Sequence, residues 1–227
     1  MIIELIINMY NNQPIDVIRL SNIINYPKLI NKRVFKNKSD TIRMLLGQGL
    51  IMLGLSKIFN INKDIIYRNL NVTKLGKPFL KDYSYVYFNV SHTGEYVGCI
   101  FNTSKVGLDI QKEVNFDVHD IAKNCFSREE YLFLLKSKKF ENEFIKLWTR
   151  KEALCKAKGE GLNEKILLTP VIKKKIMEYK ISSFKLSNVC WQSVSFCDSS
   201  TNLLLYKVSI ENILLEILPQ PYCIIKI

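Results

Sequence analysis

Histidine is nearly missing from this chain: 227 residues include only His92 and His119, and the six cysteines form no C-x-x-C pair. Zinc sites draw on those residue types at close spacing, so a zinc centre is not indicated. Several cysteines fall inside apolar runs, as buried thiols do in a reducing compartment. Neither G-x-x-x-x-G-K-[ST] nor G-x-G-x-x-G occurs, which leaves no P-loop or Rossmann site. No apolar run approaches the ~20 residues of a membrane helix. The opening MIIELIINMY is apolar but carries Glu4 and lacks a basic leader region. It reads as a strand over 2–8 rather than a signal peptide, and the protein is expected in the cytoplasm.

What is present is a globular composition, 48% hydrophobic and 24% charged, sufficient for one large domain or two lobes with cores of their own. The net charge is +12, which suits phosphates or acidic partners. The abundance of Lys, Ile and Asn also fits a bias toward AT-rich codons, so part of that charge need not be functional.

The stretch FIKLWTRKEALCKAKGEGL, 144–162, is the strongest local signal. Phe144, Leu147, Trp148, Leu154 and Cys155 recur at helical spacing, and Gly159 and Gly161 predict the stop. Glu152 lies four residues from both Trp148 and Lys156, so these share a face along the edge of the apolar stripe. Taken alone, Glu152 and Lys156 could be a surface ion pair.

Elsewhere the pattern alternates between strand and helix. A basic cluster, Lys28, Lys32, Arg33, Lys36 and Lys38, reads equally well as solvated surface or as an anion site. Ser39 or Asp40 is expected to cap a helix over 40–58 that buries Ile42, Leu45, Leu46, Leu50 and Leu53. Arg43 in its first turn suits a bound anion. Gly76-Lys77-Pro78 is a turn signature. A strand is expected over 83–91, with Ser91-His92-Thr93-Gly94 as a polar loop after it, followed by a strand over 96–101. Residues 102–105 form the expected lobe boundary, giving lobes 1–104 and 105–227. VGLDI, 106–110, is a strand whose Asp109 is costly unless paired or bound to a metal. Ser127 to Glu130 form a capping box, and 165–227 reads as four or five strands.

These pieces support one chemistry. Asp109 and Glu152 on neighbouring elements could hold one Mg²⁺, with Lys156 one turn further on reaching a phosphate. Arg43, Lys77 and His92 add positive charge. The residues alone point to Mg²⁺-dependent phosphoryl-type transfer.

VGLDI-Q (106–111) followed by W-T-x-K-E-A-x-x-K-A-x-G-x-G-L (148–162), with GKP (76–78), F-N-V-S-H-T-G (88–94) and RMLLG (43–47) upstream, resembles the 4'-phosphopantetheinyl transferase superfamily. The likeness is to its larger, two-lobed, monomeric type, which activates carrier proteins. It covers roughly residues 28 to 165, and five motifs in order are far more specific than any one.

The resemblance implies an α+β fold of two similar α/β lobes related by a pseudo-twofold, with coenzyme A and Mg²⁺ between them. The implied activity moves 4'-phosphopantetheine from coenzyme A to a serine of an apo acyl or peptidyl carrier protein and releases 3',5'-ADP. Asp109, Gln111 and Glu152 become the metal positions. Glu152, directly or through water, is the candidate base, and Lys156 meets the pyrophosphate. Arg43, Lys77, Ser91 and His92, with Lys32 and Lys36 upstream, take the 3'-phosphoadenosine end. No nucleic acid or membrane partner is implied.

Two residues depart from the family pattern. Gln111 stands where many members have a glutamate, so one negative charge is gone, and Met44 stands where a small hydroxyl residue often helps bind nucleotide. Two other readings stay open: a coenzyme A binder without turnover, and a basic nucleic-acid-binding protein. The second is disfavoured by tyrosines that fall largely in strand patterns expected to be core.

Overall fold

The computed structural model describes residues 2–9, 37–197 and 202–226. The chain is α+β and divides into two compact units, residues 1–103 with 200–227, and residues 104–199.

In the first unit, β1 (Ile2–Asn8) is the strand expected from the opening residues. The helix α1 (Lys38–Lys57) is capped by Asn37, whose side chain accepts from Ser39 N, rather than by Ser39 or Asp40. Asn37 is in extended backbone one turn earlier and offers the carbonyl that the first free amides need. Ile42, Leu45, Leu46, Leu50 and Leu53 are buried as predicted. α2 (Lys63–Asn69) is capped by Asn62. The turn at Gly76 and Lys77 joins β2 (Leu70–Val72) to β3 (Pro78–Leu80).

The next strand is displaced from its expected place: β4 spans Tyr87–Thr93 and β5 spans Tyr96–Asn102. Asp82 has φ 65° and Val86 N donates to Tyr83 O, so the chain is still turning where the strand was expected to begin. At the other end Thr93 pairs with Tyr96 and His92 with Val97. Ser91-His92-Thr93 therefore belongs to the ladder, and the polar loop shrinks to a tight turn at Gly94, φ 48°.

Past the first unit's opening run come β6 (Val106–Lys112), α3 (His119–Cys125), α4 (Arg128–Leu135), α5 (Phe140–Lys158) and α6 (Glu164–Leu168). β7 (Lys175–Ile176), β8 (Tyr179–Ser187) and β9 (Cys190–Phe196) complete the second unit. Then β10 (Asn202–Lys207), α7 (Ile210–Leu215) and β11 (Cys223–Lys226) return to the first. The expected second lobe of 105–227 is thus too long. β10 pairs in parallel with β1 and buries Leu203, Leu205 and Tyr206, so the last strands complete the first unit's core.

The sheet of the first unit runs β11-β10-β1-β5-β4 and that of the second β6-β9-β8-β7. Each unit repeats one pattern. A first strand (β1 or β6) is followed by a long helix (α1 or α5) and then by a hairpin whose second strand pairs antiparallel with the first.

α5 begins one turn before the expected Phe144 and ends where predicted, at Gly159, φ 77°. Phe144, Leu147, Leu154 and Cys155 are buried, and Trp148 stacks on Phe144 with ring centroids 6.0 Å apart. The tyrosines meet their expected place in the core only in part: Tyr179 and Tyr206 are buried, Tyr83 and Tyr131 pack half-buried against the two cores, and Tyr67, Tyr85 and Tyr222 are exposed.

Candidate active site

The strand β6 and the helix α5 lie side by side along their length. Near one end Asn142 Nδ2 donates to Glu113 Oε1 at 2.7 Å, and toward the other Lys156 Nζ donates to Asp109 Oδ1 at 2.7 Å. Gly107 permits this approach. A Cβ built there would lie 2.1 Å from Ala153 O and 2.4 Å from Ala157 N, so only a glycine lets the helix backbone come down onto the strand. Gly107, Asp109 and Gln111 alternate onto that same face.

Asp109 is buried, while Glu152 and Lys156 are half-buried. Burial raises the Glu152 carboxyl above its ordinary value, the neighbouring Asp109 charge raises it further, and Lys156 opposes both. The structure brings Lys156 onto Asp109, the strand residue, and leaves Glu152 close enough to feel both charges. Gln111 donates through Nε2 to Lys112 O at 3.4 Å. Among the described residues no three His, Cys, Asp or Glu side chains cluster as metal ligands. Asp109 and Glu152 with the Gln111 amide would offer oxygen donors alone, a set that suits Mg²⁺, which needs few protein ligands when phosphate and water complete its shell. The mutual charge of Asp109 and Glu152 is what a divalent cation would relieve.

Two neighbours of Glu152 in α5 were not singled out from sequence. Lys151 is fully buried, 2.8 Å from the equally buried Glu130. It also donates to Leu167 O and Thr169 O at 2.6 and 2.8 Å. Arg150 donates to Val171 O at 2.5 Å and to Ser183 Oγ at 3.0 Å. Both cations anchor the helix to the segment after α6, and Glu130 completes the anchor by accepting from Val171 N at 2.8 Å. The signal was legible: Lys151 falls on the apolar stripe, four residues after Leu147 and three before Leu154. Burial lowers the Lys151 ammonium from its ordinary value, and Glu130 opposes that shift.

In the first unit Arg43 donates to Gly94 O at 2.8 Å and to Asp40 Oδ1 at 2.5 Å. The hairpin turn that follows Ser91 and His92 is thereby tied to the start of α1. Ser91 is buried and His92 exposed. Lys77 stands at the β2–β3 turn, where its backbone closes on Thr73, and β3 packs beside β4. Lys32 and Lys36 lie outside the described residues.

A strand aspartate paired with a helix lysine, beside a half-buried helix glutamate, would suit a phosphoryl-group transferase, where charge on phosphoryl oxygens must be neutralised. The comparisons specify it. The family model described as the 4'-phosphopantetheinyl transferase superfamily matches residues 105–199. The chain is 35% identical over 147 residues to the 4'-phosphopantetheinyl transferase Sfp of Bacillus subtilis (strain 168), covering 64% of each chain. It is 32% identical over 163 residues to the 4'-phosphopantetheinyl transferase ffp of Bacillus subtilis, covering 70% of this chain and 71% of that one. To the 4'-phosphopantetheinyl transferase gsp of Aneurinibacillus migulanus it is 37% identical over 133 residues, 56% of this chain and 53% of that one. The chain belongs to the 4'-phosphopantetheinyl transferase family. Its matches to Sfp and gsp span less than two thirds of their length.

Proposed function

We propose that this protein transfers 4'-phosphopantetheine from coenzyme A to a serine of an apo acyl or peptidyl carrier protein, releasing 3',5'-ADP. The observation that carries this reading is the 2.7 Å contact of Lys156 with Asp109 beside a half-buried Glu152 of raised pKa. The order of strand, long helix and hairpin that recurs in each unit is what two similar lobes would have. The enzyme works in the cytoplasm, where the buried free thiols Cys99, Cys155 and Cys190 stay reduced. It acts as a monomer, without nucleic acid.

Asp109 and Glu152, with the Gln111 amide oxygen, would hold Mg²⁺, which when bound supplies positive charge beside the pyrophosphate. The serine hydroxyl forms the new O–P bond and gives its proton to Glu152. A carboxylate raised by burial is a better base near neutrality than an ordinary one. As the pyrophosphate P–O bond breaks, Lys156 offsets charge on the departing 3',5'-ADP. Arg43, Lys77, Ser91 and His92 take the 3'-phosphoadenosine end, with Lys32 and Lys36 contributing. Arg43 does so while fixed to Asp40 and Gly94, so it is held in one orientation before the ligand arrives.

The test is the intact mass of an apo carrier protein incubated with this protein, coenzyme A and Mg²⁺. A gain of one phosphopantetheine, lost on chelation or in Glu152→Ala, is the expected result. No gain across acyl and peptidyl carriers, with coenzyme A still bound, would mark a binder without turnover. No binding either would discard the reading.

A further inference from the structure

Behind the paired carboxylates, the second unit contains a row of hydroxyls that the proposed chemistry leaves unused. Thr149 and Ser193 are fully buried, with their oxygens 2.8 Å apart. Ser193 Oγ lies 2.9 Å from Ser183 Oγ, and Ser183 Oγ accepts from Arg150 Nη1 at 3.0 Å. At the other end Thr149 Oγ1 reaches Lys146 O at 2.9 Å.

A guanidinium only donates and a carbonyl only accepts, so the two ends fix the direction of every proton between them. Arg150 donates to Ser183, Ser183 to Ser193, Ser193 to Thr149 and Thr149 to the Lys146 carbonyl. The row starts on α5, crosses β8 and β9, and returns to α5. A run polarised by a cation at its head is stronger than isolated hydroxyl pairs.

Its place matters more than its strength. Ser193 is the cross-strand partner of Asp109. Thr149 precedes Glu152 by three residues, about one helical turn. One hydrogen bond therefore joins the strand position beside the first carboxylate to the helix turn beside the second. Other directional ties join α5 to the sheet, the Lys156–Asp109 ion pair and the bond from Arg150 to the Ile181 carbonyl. Lys156 reaches Asp109 through a long flexible side chain, however, whereas the Ser193–Thr149 bond joins two short, fully buried ones. Asp109 and Glu152 repel one another, and a short directional bond between buried side chains limits how far the helix can shift in response.

We infer that Ser193, acting through Thr149, is a positioning residue that sets the separation of Asp109 and Glu152 for cation binding. The inference rests on the transferase reading, which gives those carboxylates their role.

The experiment is Mn²⁺ binding by calorimetry to the whole protein without coenzyme A, paired with thermal unfolding and the Mg²⁺ dependence of carrier modification. Ser193→Ala and Thr149→Val should each weaken Mn²⁺ binding by about 10- to 100-fold, the range for residues that orient metal ligands. Thr149→Ser keeps the hydroxyl and should bind nearly as wild type. Excess Mg²⁺ should restore most of the rate. The double variant should bind Mn²⁺ about as weakly as either single variant, because both substitutions break the same bond. Should Ser193→Ala fail to fold, the contrast between Thr149→Val and Thr149→Ser carries the same information. Folded Ser193→Ala and Thr149→Val proteins that bind Mn²⁺ as wild type would overturn the inference. If wild type still binds Mn²⁺ and modifies a carrier, only this inference falls; if wild type does neither, the transferase reading falls with it.

Discussion

At Glu152 two effects act in one direction. Burial and the Asp109 charge both raise its carboxyl, with Lys156 opposing. A proton and a cation then compete for the same oxygens. Because the group protonates at a higher pH than an ordinary glutamate, cation affinity should begin to fall on acidification sooner than at a site of two unperturbed carboxylates. Lys156→Met removes the opposing charge and should move that fall to still higher pH. Mn²⁺ affinity measured against pH checks both, and a profile unmoved by Lys156→Met would refute the coupling. Gln111 is the second residue with a defined consequence. Restoring a carboxylate in Gln111→Glu should lower the Mg²⁺ concentration needed for half-maximal transfer, with little change in the rate at saturation; an unchanged Mg²⁺ requirement would show that position 111 does not face the cation. Asp109, Glu152 and Lys156 were legible because each stands out against its own local period. A charge in an apolar strand and two charges four residues apart on a helix edge need no partner sequence to be noticed. Ser193 was not legible, because its meaning comes from the register of β6 on β9, which no local pattern encodes.

The elements that carry these residues depend on contacts made by motif residues with no chemical role of their own. Gly107→Ala would place a methyl carbon 2.1 Å from the Ala153 carbonyl oxygen. Backbone cannot yield as a side-chain tip does, so α5 must lift from β6. Overpacking of this kind costs about 1–3 kcal/mol, and a shift of about 1 Å at a reacting site can cost ~10²-fold in rate. Gly107→Ala should therefore fold, melt lower and lose transfer far out of proportion to its stability, as unfolding curves and steady-state rates would show. The Lys151–Glu130 pair makes the opposite case. Both side chains are fully buried, so Lys151→Met alone strands a carboxylate and should cost about 3–5 kcal/mol by urea unfolding. Adding Glu130→Leu should recover part of that loss. Equal instability in the single and double variants would refute the pairing as the cause. Helix ends were read unevenly for a physical reason. Gly159 marks the end of α5 in sequence because a left-handed residue is needed there, whereas Lys139 at its start makes no side-chain cap and leaves no signature. β4 was placed too early because Tyr83 and Tyr85 continue its alternation through a stretch where the backbone is still turning.

For the whole molecule, the α+β class was legible through the resemblance and a break near residue 104 through the residue pattern, while the destination of the last strands was not legible at all. β10 is an apolar run that either sheet could accept, and parallel pairing with β1 is a long-range choice invisible to local periodicity. Net charge is the property of the whole chain that sequence states without ambiguity, at +12, and it carries its own prediction. If the excess serves an acidic carrier protein, it should act on encounter more than on chemistry. Raising ionic strength from about 0.01 M to about 0.15 M shortens the screening length from ~30 Å to ~8 Å. Over that range kcat/KM for the carrier should fall by about tenfold or more, the lower end of what electrostatic steering supplies. The change should lie mainly in the carrier KM, with kcat at saturating carrier nearly constant. Replacing several exposed lysines of the second unit by glutamine should flatten the salt dependence while leaving the Mg²⁺ requirement untouched. A carrier kcat/KM indifferent to salt would mean that the lysine excess reflects codon bias, and that the carrier is recognised by contacts of short range alone.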